Sequence, residues 1–282
     1  MERFINKVYS VAYRMAKTDI VPKTIDSALV IGGLQALSAL DDQDQSRGLY
    51  LVVGGTAVQT YLPQENRRPT SDIDLSVVRP LNYEEFKSFV KPVYETLADA
   101  GYQVEMKKRD SRFQLNVYDA EREDSLSIEF SRRNKEKFEK LRSRLERELQ
   151  QGRRKAIAGT SSSYLVAAPE DIAVPKLVRG VGTLERLPEL YPELTVIYQS
   201  QPHFNGILNH VVGERAVAQK TKEPKQVETA RLKADLYDVV TLATFVGYNA
   251  AYLQLAAQEW NKLREKSVPR DFLVEKLLHL DI

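Results

Sequence analysis

Apolar positions change their period along the chain, and each change marks an element. Between residues 23 and 40, Ile25, Leu29, Val30, Leu34 and Leu37 recur near helical spacing, which predicts a helix there, with another over 3–17. A polar loop runs from Asp41 to Gly48. Leu49 to Val53 is then a short apolar run of strand formers that ends on Gly54-Gly55, and Thr56 to Leu62 can turn as a helix before the breaker Pro63. Ile73 to Val78 reads as a second strand and Tyr83 to Ala100 as an amphipathic helix stopped at Gly101. Strands are predicted at 102–108, 112–118 and 124–130, the last two joined by the acidic turn Asp119 to Asp124. A charged helix over 134–150 follows, then a short strand or connector at 165–168. After Pro169 the texture is helical, with segments at 169–179, 184–190, 203–219, 225–243, 246–265 and 270–280. The pattern predicts an α/β (α+β) protein: a mixed sheet with flanking helices over 1–165, then a mainly helical domain over 166–282.

Composition narrows the chemistry by exclusion. The chain has no cysteine, which removes disulfides, thiolate metal sites and cysteine nucleophiles together. His203, His210 and His279 stand too far apart, and too far from any carboxylate pair, to suggest a zinc site. No stretch approaches the roughly 20 apolar residues that cross a bilayer, and Met1 to Arg14 carries no signal-peptide core, so a cytoplasmic protein without membrane contact is expected. The net charge is only +2, but residues 132–155 hold eleven Lys or Arg against four Glu. That local +7 leaves −5 for the rest of the chain. Its arginines, among them Arg142, Arg144 and Arg147, make a candidate surface for nucleic-acid phosphates. A solvated helix laced with Glu–Arg pairs explains the same residues.

One stretch, LYLVVGGTAVQTYLPQENRRPTSDIDLSV, carries the candidate chemistry. A Gly-Gly pair between strand and helix lets the backbone approach a ligand, and the amides and dipole at a helix start favour an anion such as a triphosphate. Gly54 and Gly55 supply that turn, Thr56 offers a hydroxyl, and Arg68 and Ser71 lead into Asp72 and Asp74. Two aspartates at i and i+2 of a strand leave on one face, while Ile73 and Leu75 point to the other. Such a pair can share two Mg²⁺ ions, with Mn²⁺ as an alternative, in the two-metal arrangement that activates a hydroxyl and steadies a departing pyrophosphate. In LSIEFS the apolar Leu126, Ile128 and Phe130 alternate with Ser127, Glu129 and Ser131, which makes Glu129 a candidate third metal ligand or base.

These residues resemble the polymerase-β-like nucleotidyltransferases, whose pattern is a Gly-Gly or Gly-Ser turn followed by Asp-x-Asp. Within that superfamily the chain is similar to the AbiEii or MenT-like branch, toxins of bacterial toxin-antitoxin and phage-defence systems. Three segments carry the likeness: GGTA with RRPTSDIDL between Gly54 and Leu75, APEDIAVPKL at Ala168 to Leu177, and RLKADLYDV at Arg231 to Val239. The resemblance implies that Lys176 reaches the triphosphate as a mobile charge and that Asp235, with Asp238 on the same helix face, completes the site. Pro175, directly before Lys176, is expected to interrupt its helix, and Ala234 stands where the branch commonly has a basic residue.

By the same resemblance the activity would be transfer of a nucleoside monophosphate from an NTP to a hydroxyl with release of pyrophosphate. The acceptor would be the 3′ end of tRNA, held by the basic segment, and an antitoxin would restrain the enzyme. Two other readings stay open on the residues alone: a transferase acting on a protein or on a small molecule such as an aminoglycoside, and a non-catalytic nucleotide-binding interaction protein.

Overall fold

A computed structural model describes residues 21–41, 49–185 and 204–263. The helices expected over 3–17 and 270–280, most of that over 184–190, and His203 and His279 lie outside those residues. The chain divides into two compact units, Met1–Thr56 with Pro69–Val166, and Ala57–Arg68 with Ala167–Ile282.

The first unit is built on a seven-stranded mixed sheet. Its strands are β1 (Tyr50–Val53), β2 (Asp72–Val77), β3 (Gln103–Lys108), β4 (Arg112–Asp119), β5 (Asp124–Ser131), β6 (Arg153–Ala156) and β7 (Ser163–Val166), in the order β3-β4-β5-β2-β1-β7-β6. β2 runs parallel to β5 and β1 parallel to β7, and the other neighbours are antiparallel. Alternation decides which face is apolar. Ile73, Leu75, Phe113, Leu115, Ile128 and Phe130 are all buried, and each contributes about 1.5–3 kcal/mol by leaving water.

Two helices cover that face. Helix α1 (Ala28–Ser38) starts on the Ser27 side chain and comes close because Gly33 has no side chain, for a Cβ there would lie 3.0 Å from both Ile73 Cδ1 and Leu126 Cδ2. The Gly32-Gly33 pair is therefore a packing feature. The helix Tyr83–Asp99, capped reciprocally by Asn82 and Glu85, sets the Phe86 ring 4.5 Å from that of Phe113 and 5.2 Å from that of Phe130. A third helix, Lys135–Gln151, buries Phe138 and Leu145 with Val78.

Strand β6 was not anticipated. Arg153, Arg154 and Lys155 carry no apolar alternation, yet β6 pairs antiparallel with β7 at the edge of the sheet, where one backbone side is enough to hold a strand.

The second unit is helical among its described residues, with helices Pro169–Glu185, Phe204–Thr221, Pro224–Phe245 and Ala250–Leu263. The first runs through Pro175 rather than breaking there. Ala173, Val174, Leu177 and Val178 around the proline are buried with Val239, Leu253, Ala256 and Ala257, and that packing offsets the missing amide donor.

Candidate active site

Register places the acids. Asp74 lies opposite Val53 of β1 on one side and Glu129 of β5 on the other, and Asp72 lies opposite Ser127. Because side chains alternate, Asp72, Asp74 and Glu129 leave one face of two adjacent strands. One carboxylate oxygen from each lies within 4.8 Å of the others, a spacing at which a single cation can be shared. All three donors are hard oxygens, which suits Mg²⁺ or Mn²⁺ rather than zinc.

Glu129 is held on both sides. Arg112 Nη1 donates to Oε2 at 2.5 Å, and the Ser127 hydroxyl donates to Oε1 at 3.5 Å. Gln114 Nε2 in turn donates to Ser127 Oγ at 2.6 Å. Burial pushes the Glu129 carboxyl above the usual carboxylate range, Arg112 pulls it back, and the neighbouring Asp72 charge pushes it up again. A bound cation would favour the ionised form and offset that penalty.

The glycine bend belongs to the same place. β1 passes directly into the helix Gly54–Tyr61, with Gly54 at φ +70 and no loop between them. A Cβ at Gly54 would sit 2.2 Å from Asp74 Oδ2 and 3.0 Å from its Cγ, so only glycine lets the carboxylate lie against this backbone. Gly54→Ala is accordingly expected to give a folded protein whose Mn²⁺ affinity, measured by calorimetry, falls about tenfold or more. Unchanged affinity would show that the Asp74 carboxylate does not depend on the bend.

Thr56 and Ser71 both make contacts of their own beside β2. Thr56 is buried, and its hydroxyl donates to the Asp72 carbonyl at 2.8 Å, so its proton supports the strand and is not offered to a phosphate. Ser71 reaches Asp72 Oδ2 only at 3.5 Å. Gly55 stays in the first turn of the helix, partly exposed.

The remaining predicted residues meet within the helical unit. Lys176 Nζ donates to Asp235 Oδ1 at 2.9 Å and to Asp238 Oδ2 at 2.8 Å. Arg68 grips Asp238 through Nε at 3.1 Å and Nη2 at 2.7 Å. Arg179 forks onto Asp235 with two contacts of 2.9 Å, a role no sequence pattern signalled beyond its i+3 spacing from Lys176. Lys176 is 5% exposed and Asp238 1%, so the mobile lysine expected from the sequence is instead pinned between two aspartates. Burial alone would raise the Asp238 and Asp235 carboxyls, but Arg68 and Lys176 at Asp238, and Lys176 and Arg179 at Asp235, hold both below the ordinary range. The Tyr237 hydroxyl anchors the same helix by donating to the Asn66 carbonyl at 2.9 Å.

The basic segment presents less charge than its composition promised. Lys135, Lys137, Lys140, Arg142, Arg153 and Arg154 are exposed. Lys140 and Arg142 pair with Glu136 and Glu139, and Arg154 pairs with Asp41. Arg144, expected on the phosphate surface, has a side chain only 10% exposed and lies 3.2 Å from Glu148.

No sequence-family profile matches the chain, and no curated protein does. Among solved structures it resembles an antigenic nucleotidyltransferase-like protein from Paracoccidioides brasiliensis at 14% identity, over 91% of this chain and 95% of that one, with a TM-score of 0.42. So slight a likeness carries no function. The acidic cluster and its surroundings have to carry it.

Proposed function

We propose that the protein is a divalent-metal-dependent nucleotidyltransferase that moves a nucleoside monophosphate from an NTP to an acceptor hydroxyl. The observation that carries the reading is the convergence of Asp72, Asp74 and Glu129 within 4.8 Å, beside a glycine whose missing side chain lets Asp74 approach. Asp72, Asp74 and Glu129 would hold Mg²⁺, which when bound neutralises phosphate charge and lowers the pKa of a coordinated hydroxyl.

The chain's own residues do the rest. The amides of Gly54 and Gly55 open the helix Gly54–Tyr61, where backbone donors and dipole favour an anion. Arg112 occupies Glu129 Oε2 and so directs Oε1 toward a cation or the acceptor proton. In the helical unit Arg68, Lys176 and Arg179 outnumber Asp235 and Asp238 by one charge, and their mutual contacts hold the helices Pro169–Glu185 and Pro224–Phe245 together.

The acceptor assigned here is the 3′ end of tRNA, and the biology that of a toxin restrained by an antitoxin, in keeping with the three AbiEii or MenT-like segments. Labelled ATP and CTP incubated with total tRNA, with protein and with small-molecule pools test it directly. Label only in protein or aminoglycoside would move the acceptor, and nucleotide binding without pyrophosphate release would leave a non-catalytic binding protein. The pairing of Lys140, Arg142 and Arg144 with glutamates favours such a non-RNA acceptor as the second reading.

The two readings separate on salt. Lys135→Glu with Lys137→Glu is expected to weaken tRNA binding in anisotropy titrations and to reduce the slope against log salt by about one per lost phosphate contact. Equal affinity at every salt concentration would remove the segment from the RNA account.

A further inference from the structure

The two strands that carry the acids run parallel, so both start at the same end of the sheet, and one residue, Lys23, holds the start of each, β2 through its backbone and β5 through its side chain. Lys23 joins Thr70 through a two-way backbone bridge, with its amide donating at 2.7 Å and its carbonyl accepting at 2.9 Å. Its ammonium donates to the Ser125 carbonyl at 2.9 Å and the Val21 carbonyl at 2.7 Å, and lies 2.7 Å from Asp124 Oδ1. Three donors meet three acceptors, and the residue is 8% exposed, so this ammonium has one orientation.

Thr70 and Ser125 each stand two residues before a register pair, Asp72 with Ser127. From Thr70 the support passes on to the metal site. The Thr70 hydroxyl donates to the Asp72 carbonyl at 3.2 Å, beside the 2.8 Å bond from Thr56.

We propose that Lys23 is a positioning residue for the metal site, a clasp that fixes the separation of β2 and β5 where they carry Asp72, Asp74 and Glu129. The physical need is plain. Three carboxylates brought within 4.8 Å repel one another, and strand ends are where a parallel pair opens first. A buried lysine that binds the start of both strands, and touches none of the three acids in these contacts, resists that opening without competing for the cation.

The inference rests on the metal reading above, and the test separates the two. Mn²⁺ binding is measured by calorimetry on the full chain, as wild type and as Lys23→Met, at a temperature where both are fully folded by circular dichroism. Loss of the clasp is expected to weaken Mn²⁺ binding about tenfold, the size typical of an outer-shell support, and to leave the stoichiometry unchanged. Asp124→Asn, which removes the clasp's partly exposed ionic partner and spares the lysine, should weaken it in the same direction and decides the matter if Lys23→Met does not fold. Mn²⁺ affinity equal to wild type in a folded Lys23→Met, or in Asp124→Asn where that variant decides, overturns the clasp while the metal site stands. A wild-type protein that binds no Mn²⁺ overturns both.

Discussion

Asp72→Asn and Asp74→Asn are each expected to reduce the proposed nucleotidyl transfer by about three orders of magnitude, equivalent to about 4 kcal/mol of transition-state stabilisation, while the thermal midpoint holds or rises. The two halves of that result have one cause. Three acids converge within 4.8 Å, and the pair on β2 stands two residues apart on one face, so each contributes its own ligand atom. Asparagine keeps the volume and loses the charge, so metal binding goes while mutual repulsion is relieved. Initial rates of pyrophosphate release with each NTP, run beside thermal melts, check both halves. Turnover within tenfold of wild type in either variant would sink the assignment.

The second large effect falls on stability. Asp238→Asn is expected to destabilise the protein by about 3–5 kcal/mol in urea titrations, because Arg68 and Lys176 remain buried with half their counter-charge gone. The pH dependence has a definite sign. A carboxyl whose folded pKa lies below its unfolded value contributes stability that is present above about 3.8 and is lost as pH falls through the folded pKa. Wild-type stability should therefore drop in acid, and the Asn variant should show a shallower drop over the same interval. A loss under about 1 kcal/mol, within the range of an exposed pair, would mean the network is solvated and contributes little.

Much of the acidic site was legible because it is written in local periods. Asp72 and Asp74 declare their shared face by spacing of two, and Leu126, Ile128 and Phe130 expose Glu129 by the same rule. The bend at Gly54 was legible as a glycine pair, though its reason, the contact with Asp74, required the register of β1 against β2. What escaped depends on partners far away in the chain. Lys23 reads as one more polar residue near a helix start, and its contacts with Asp124 and Ser125 lie about a hundred residues on. Thr56 looked like a ligand hydroxyl because a lone sequence cannot show that the Asp72 carbonyl takes its proton. Pro175 read as a break because a proline announces its lost donor, whereas the packing of Leu177 and Val178 that outweighs it comes from two other helices.

The helical unit is discontinuous: Arg68, from the short stretch Ala57–Arg68, closes on Asp238, 170 positions later. A polypeptide severed after Val166 would keep the guanidinium and lose the carboxylate that answers it. The two halves are thus poor candidates for exchange as cassettes between relatives, and during synthesis Arg68 must wait for most of the chain to emerge before its counter-ion exists.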